Sequence, residues 1–321
     1  MLNVVFMGTP DFAVESLKSI YDAGYNVLSV VTNPDKPKGR GMKMTYSPVK
    51  EFAIEKNLKI LQPEKVKHNE EFIDKLKKLN PDLLVVVAYG KILPKEILEI
   101  PKLGAVNVHG SLLPQYRGAA PIQWAVINGD KKTGVTTMYM DEGMDTGDII
   151  LQKEVEISSN ETTGELWDVL AKEGGKLLVE TLKEIENGTA PRIKQGNNFT
   201  MAPMLDKKIA KIDWENQSAE DIKNLVRGLN PIMGAYSTLN GKKLKFWKVD
   251  VAKNIVYDED KIKFFKNGTV LISDERDGVF IKTKDGILQI LEIQGENAKR
   301  MRIQDYLRGN SIEEFSVFEW M

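Results

Sequence analysis

Through the first half of the chain, short unbroken apolar runs alternate with segments whose apolar residues recur every three to four positions. Asn3–Met7 reads as a first strand. After Gly8-Thr9-Pro10, FAVESLKSIYDAG has helical spacing, with Thr9 placed to cap it, Pro10 in its first turn and Gly24 as its stop. NVLSVVT resumes as a strand and ends at the Asn33-Pro34 breaker, and SPVKEFAIEKNL and EEFIDKLKKLN follow as helices. PDLLVVVAYG and GAVNVHG are nearly continuous apolar runs, the pattern of strands covered on both faces of a parallel sheet. PIQWAVINGD reads as a short helix with Pro121 at its start and Gly129 past its end, and TGVTTMYMD as one more strand. The alternation predicts an open, mostly parallel α/β sheet.

The pattern changes after the helical segment ELWDVLAKEGGKLLVETLKEIENG. From Asn187 to about Asp206, glycine, proline and asparagine appear without periodicity, the signature of a linker. Beyond it come one helical stretch, SAEDIKNLVRGLN, and five strand-like runs: AYSTLN, KKLKFWKVDV, GTVLISD, GVFIKTK and GILQILEIQ. Five short strands separated by tight turns predict a small OB-like β-barrel. The expected division is an N-terminal domain over 1–188, a linker over 189–206 and a C-terminal domain over 207–321, consistent with a 321-residue chain exceeding one compact core.

Bulk composition narrows the function classes. At 42% hydrophobic and 28% charged residues the chain is ordinary for a folded protein, and no apolar run reaches the ~20 residues of a membrane span. The opening MLNVVFMGTPDF lacks a basic region of the kind that begins a secretion signal. Zero cysteines exclude disulfides, thiolate metal sites and a cysteine nucleophile, which suits a cytoplasmic location. A net charge of −1 argues against a dedicated DNA binder.

The chain has two histidines. His68 lies in the charged segment VKHNEEFIDKLKKL and reads as structural, whereas His109 ends an apolar run two residues after Asn107. Residues i and i+2 of a strand share a face, so Asn107 and His109 project together at a strand's C-terminal end, where open α/β sheets place ligands. An amide and an imidazole there offer two donors to an oxygen that becomes anionic. The plainer reading is a histidine whose nitrogens are satisfied by backbone. Downstream, DEGMDTGD (Asp141–Asp148) is a carboxylate-rich loop with glycines at 143 and 147, able to bend a carboxylate back over a neighbouring strand. The same loop reads equally well as a solvated acidic turn, and its spacing does not match a calcium loop. No serine occupies a G-x-S-x-G elbow.

Together, N-V-H-G-S-L-L-P-x-Y-R-G-A-A-P followed by G-V-T-x-x-x-M-D-E-G-M-D-T-G-D resembles the signature of the 10-formyltetrahydrofolate-dependent formyltransferases. The likeness continues through MGTPDFA, PDKPKGRG…SPVK, PDLLVVVAYGKILP and AKIDW…NP…AY, essentially the whole chain. The resemblance implies a Rossmann-like catalytic domain and an OB-like tRNA-binding domain. It implies transfer of a formyl group from 10-formyltetrahydrofolate to the α-amino group of methionine on initiator tRNA, for translation initiation, without a metal. It assigns the catalytic set to Asn107, His109 and Asp145. It assigns the folate contacts to Ser111, Leu112, Leu113 and Pro114, with Val87, Ala88, Tyr89 and Gly90 lining the pterin slot; for Val87 a buried strand is the plainer reading.

PDKPKGRGMKMTYSPVK carries five basic and no acidic side chains from Lys36 to Lys50. Such a run is often a solvated loop; the resemblance gives it to the acceptor end of tRNA, through Lys36, Lys38, Arg40 and Lys43. KKLKFWK reads either as a basic tRNA-facing surface or as an edge strand guarded by lysines. Met204 stands where the family commonly has lysine, and Ile232-Met233 where it has Trp-Pro; both departures fall on the expected tRNA contacts of linker and barrel. A formyltransferase acting on a small amine (a sugar nucleotide or glycinamide ribonucleotide) and a non-catalytic RNA-binding protein are the alternatives. Nicotinamide binding is disfavoured because GTPDF lacks G-x-G-x-x-G. Replacing Arg40 with alanine is expected to weaken use of charged tRNA much more than folate binding. The KM values for the two substrates check this, and equal loss of both contradicts it.

Overall fold

The computed structural model describes residues 1–38, 43–253 and 262–319. Its contacts divide the chain into two units: Met1–Pro121, Lys132–Glu156 and Trp167–Pro203 in the first; Ile122–Lys131, Ile157–Leu166 and Met204–Met321 in the second.

The first unit is built on a seven-stranded sheet. In chain order its strands are β1 (Asn3–Gly8), β2 (Asn26–Val31), β5 (Ile60–Leu61), β6 (Leu83–Val87), β7 (Ala105–His109), β8 (Lys132–Tyr139) and β9 (Ile149–Glu156). The short strands β3 (Lys36–Lys38) and β4 (Lys43–Thr45) form a separate hairpin. Across the sheet the order is β5-β2-β1-β6-β7-β8-β9. The chain winds outward in opposite directions from β1 and β6, the arrangement that opens a crevice at the strands' C-terminal ends. The central strands are sealed, with Val4 through Met7 at 0% exposure, which is why their sequences run apolar without alternation.

β1, β2, β5, β6 and β7 are mutually parallel, but β8 runs antiparallel to β7, and β9 antiparallel to β8. The sheet is therefore mixed at one edge. Helix α1 spans Asp11–Asp22, and its cap position is Pro10, one residue later than the Thr9 cap expected from sequence. The Thr9 hydroxyl instead accepts a hydrogen bond from Asn33 Nδ2 at 3.0 Å.

The segment expected as a linker is not a plain spacer. Residues up to Pro203 belong to the first unit, with Ile193 bridged to Ile149 and Met201 to Arg117. Two segments of the N-terminal half instead belong to the second unit. Arg227, 6% exposed, donates to the Glu161 carbonyl at 3.1 Å, Thr163 Oγ1 donates to the Gly228 carbonyl at 2.7 Å, and Ile127 packs on that unit's core.

The second unit's five main strands match the five runs read from sequence: Ala235–Leu239, Lys242–Val251, Val270–Asp274, Gly278–Lys282 and Ile287–Gln294. All neighbouring pairs are antiparallel. The two outermost strands are joined by the chain's final segment. Val270 N–H donates to the Ser316 carbonyl at 2.9 Å, Phe318 N–H to Gly268 at 2.9 Å, and Glu319 N–H to Thr238 at 2.8 Å. Those bonds close the sheet on itself.

Phe318 plugs the interior, 5.8 Å from the Trp214 ring and 5.5 Å from Phe246 by ring centroids. Trp214 is anchored in turn by its indole N–H donating to Ser237 Oγ at 2.9 Å. Phe318→Ala is expected to cost ~3–5 kcal/mol through the cavity it leaves. Urea unfolding of the full chain checks this by a lowered midpoint for the second unit; an unshifted midpoint contradicts it.

Candidate active site

β7 places the two donors. Asn107 and His109 lie two residues apart in a regular strand, paired with Met138 and Thr136 of β8. They share one face, while Val108 between them is buried at 3% on the other. His109 is itself 6% exposed, so its nitrogens need protein partners. Nε2 lies 2.9 Å from the Tyr116 carbonyl. A carbonyl only accepts, so Nε2 carries the proton and donates it. Backbone thus satisfies one nitrogen, as the plainer sequence reading expected. The other, Nδ1, faces the Asp145 carboxylate, 3.7 Å from Oδ2.

Asp145 reaches this position by an unusual route. Because β8 runs antiparallel, its end pairs with the start of β7, where Met140 N–H donates to the Ala105 carbonyl at 2.8 Å. The loop that follows must fold back along the sheet to bring Asp145 Oδ1 within 3.5 Å of Asn107 Nδ2. Local chemistry builds the turn. Asp141 Oδ1 accepts from Gly143 N–H at 3.0 Å and from Thr146 Oγ1 at 2.7 Å. At Gly147 the main chain lies so close to Tyr139 that a Cβ would sit 1.7 Å from the Tyr139 carbonyl oxygen. Asp145 itself adopts φ +55°, in the left-handed region. Its carboxylate is then fixed by Gly118, whose N–H donates to Oδ2 at 2.8 Å.

The loop after β7 is held from beneath by Thr136. The Thr136 hydroxyl donates to the Ser111 carbonyl at 2.6 Å and accepts from Leu113 N–H at 3.1 Å, while Gln152 Nε2 donates to the Leu113 carbonyl at 2.8 Å. Ser111 is fully buried and its hydroxyl donates to the Gln115 carbonyl at 2.6 Å, so that side chain is committed within the loop. Leu113 is also buried, leaving Leu112 and Pro114 as the half-buried members of the expected folate set. In the expected pterin slot, Val87 is sealed in β6 and Tyr89 is turned inward, while Ala88 and Gly90 are exposed, both with positive φ. The Tyr89 hydroxyl has no hydrogen-bond partner among the described residues, and burial pushes its ionisation up to about 12, so it stays a neutral phenol.

The segment 192–202, aperiodic in sequence, contacts both loops. Arg117 N–H donates to the Thr200 carbonyl at 2.9 Å and Ala202 N–H to the Arg117 carbonyl at 2.7 Å. Gln195 Nε2 donates to the carbonyls of Asp145 and Gly147, each at 2.8 Å, and its Oε1 accepts from Arg117 Nε at 3.0 Å and Nη2 at 2.7 Å. The Tyr116 carbonyl, the Gly118 amide and Gln195 were not among the candidates read from sequence. Two act through main-chain groups, which no side-chain pattern reveals.

Within the basic run, strands β3 and β4 pair antiparallel. Lys36 is exposed; Arg40 lies outside the described residues, as do the side chains of Lys38 and Lys43. Lys50, the fifth cation of the run, is spent as an anchor. It donates to Asp35 Oδ2 at 2.6 Å and to Gln62 at 2.9 Å, and hydrogen bonds from Lys50 and then Gln62 lower the Asp35 carboxyl's pKa. Among the described residues no cluster of His, Asp and Glu is arranged to hold a metal ion, and no helix is long and apolar enough to cross a membrane.

The formyl transferase family profile matches residues 2–182, and the profile of the formyl transferase C-terminal domain matches residues 204–311. Methionyl-tRNA formyltransferase of Clostridioides difficile is 54% identical, the match covering 97% of this chain and 98% of that protein. The enzyme of the same name from Clostridium beijerinckii is 50% identical, with 99% and 100% covered. Among solved structures, the N-formyltransferase from Helicobacter canadensis in complex with folinic acid and dTDP-3-aminofucose has the same fold. Its TM-score is 0.65 at 20% identity, covering 92% of this chain and 100% of that one. HypX from Aquifex aeolicus, in complex with tetrahydrofolic acid, aligns with a TM-score of 0.64 at 14% identity over 99% of this chain and 51% of that one. With both domain profiles matched and half its residues shared with full-length relatives, the chain belongs to the formyl transferase family.

Proposed function

We propose that the chain transfers the formyl group of 10-formyltetrahydrofolate to the α-amino group of methionyl-initiator-tRNA, in the cytoplasm, for translation initiation. The observation that carries the chemistry is the convergence of Asn107, His109 and Asp145 on one face of β7. The acceptor follows from relatives of that name at about half identity over nearly the full length. Sugar-amine formylation, kept open by the sequence, is disfavoured: the N-formyltransferase from Helicobacter canadensis in complex with dTDP-3-aminofucose shares the fold at only 20% identity.

An α-amino group ionises near ~8, so a usable fraction is neutral at physiological pH and no strong base is needed. The harder task is the oxyanion formed when the amine attacks the formyl carbon. Asn107 Nδ2 is one donor to it. With Nε2–H committed to the Tyr116 carbonyl, the histidine's contribution comes from Nδ1, the nitrogen that faces Asp145. Asp145 beside Nδ1 orients the ring and accepts the proton released by the attacking amine through water. The new C–N bond then replaces the bond to the folate nitrogen, which receives the proton as the oxyanion collapses. On the folate side, the residues in position are Leu112, Pro114, and the exposed main chain at Ala88 and Gly90.

The test is formyl transfer from 10-formyltetrahydrofolate to methionylated initiator and elongator tRNA. Initiator tRNA is expected to be the preferred acceptor, and a chain that formylates a sugar amine but no tRNA overturns the assignment. Asn107→Ala is expected to lower kcat by roughly 100- to 1,000-fold, the loss typical of one oxyanion donor, with folate KM little changed. Retention of most turnover contradicts that role.

A further inference from the structure

We propose that Gln195 is a positioning residue for Asp145, and that the segment 192–202 is a strap whose attachment sets the geometry of the reacting groups. This rests on the reading of Asp145 given above and adds a residue outside the Asn107, His109 and Asp145 set.

Both amide hydrogens of Gln195 go to the loop that carries the carboxylate, one to the carbonyl of Asp145 itself and one to that of Gly147, each at 2.8 Å. Its oxygen goes to the other loop, where the guanidinium fork of Arg117 grips it at 3.0 and 2.7 Å. Arg117 is 8% exposed, with the Phe199 ring 4.5 Å from its guanidinium carbon, so the fork is confined to one orientation. It also sits between the two residues whose main chain holds the site: Tyr116, which accepts from His109, and Gly118, which donates to Asp145. One neutral side chain therefore ties the loop that carries Asp145 to the side chain of Arg117, the residue between Tyr116 and Gly118.

The need for such a tie is visible in the backbone. Asp145 is held at φ +55°, a sparsely populated region for a non-glycine residue that persists where surrounding groups over-determine it. Releasing its carbonyl frees the loop to relax, and the carboxylate moves with it. Neighbouring strap contacts support the same loop: Ile193 exchanges two main-chain bonds with Ile149 at 2.8 and 2.9 Å, and Arg192 stacks 3.6 Å from the Tyr139 ring, 3.8 Å from Asp148. These fix where the strap lies. Gln195 is the member that reaches Asp145.

The test uses the full-length enzyme with Gln195→Glu, which keeps an oxygen for Arg117 but sets a second oxygen against the two carbonyls. Gln195→Met, of similar shape with neither function, is the second variant. Displacing a reacting group by about an ångström costs on the order of 100-fold, so kcat for formyl transfer is expected to fall roughly 10- to 100-fold. The KM for 10-formyltetrahydrofolate should stay within about two-fold if binding is untouched. Single-turnover rates in an Asp145→Asn background separate positioning from scaffolding. There the same change is expected to cost less than about two-fold, because a residue acting through Asp145 has nothing left to position.

Native-like kcat in both variants overturns the proposal. So does an equal loss with and without Asp145, or failure of both variants to fold. If Asp145→Asn alone keeps full turnover, the reading of Asp145 fails, a result distinct from failure of Gln195.

Discussion

A carboxylate at the tip of a loop has no fixed position unless main-chain groups supply one, and the candidate site depends on how that is done for Asp145. A single amide, Gly118 N–H, meets Oδ2 at 2.8 Å and orients the carboxylate toward His109. That contact requires the loop to double back from the far end of β7, which follows from β8 being antiparallel. Had β8 continued the parallel winding, the acidic loop would leave the sheet at the same end as His109 with a different approach. The mixed edge of the sheet is thus part of how the site is assembled.

Electrostatics follow from this placement. His109 is nearly buried, with one nitrogen committed to a carbonyl and the other facing a carboxylate. Both neighbours are acceptors, and neither offers the ring a proton. The two contacts hold the ring in one orientation, with Nε2 tied to backbone and Nδ1 turned to the carboxylate. Asn107 adds a neutral donor that needs no proton transfer to act.

Much of this was legible in the sequence because it rests on local periodicity. The two-residue spacing of Asn107 and His109 has meaning only in a strand, and the apolar run around them is long enough to mark one. Glycines within DEGMDTGD signalled a sharp turn, and the five C-terminal runs announced their strands. What stayed hidden depends on contacts between distant, aperiodic segments. NGTAPRIKQGNNFTMAPML has no repeat because its hydrogen bonds are made one at a time to two different loops, so it read as a spacer. The direction of β8 leaves no trace in TGVTTMYMD, since a strand buried on both faces looks alike whichever way it runs. The slip from Thr9 to Pro10 at the first helix arises because Thr9 spends its hydroxyl on Asn33, a partner 24 residues away.

The closure of the second unit by residues 315–319 carries a consequence for how the chain matures during synthesis. Segment 122–131 belongs to that unit, yet the strand-like piece that seals the barrel is translated roughly 190 residues later. At about 5–20 residues per second, the early segment waits on the order of 10–40 seconds for the structure it completes. Throughout that interval Ile127 has no finished core to enter. The nascent polypeptide thus passes through a stage in which Ile127 has been made but the segment that closes its unit has not.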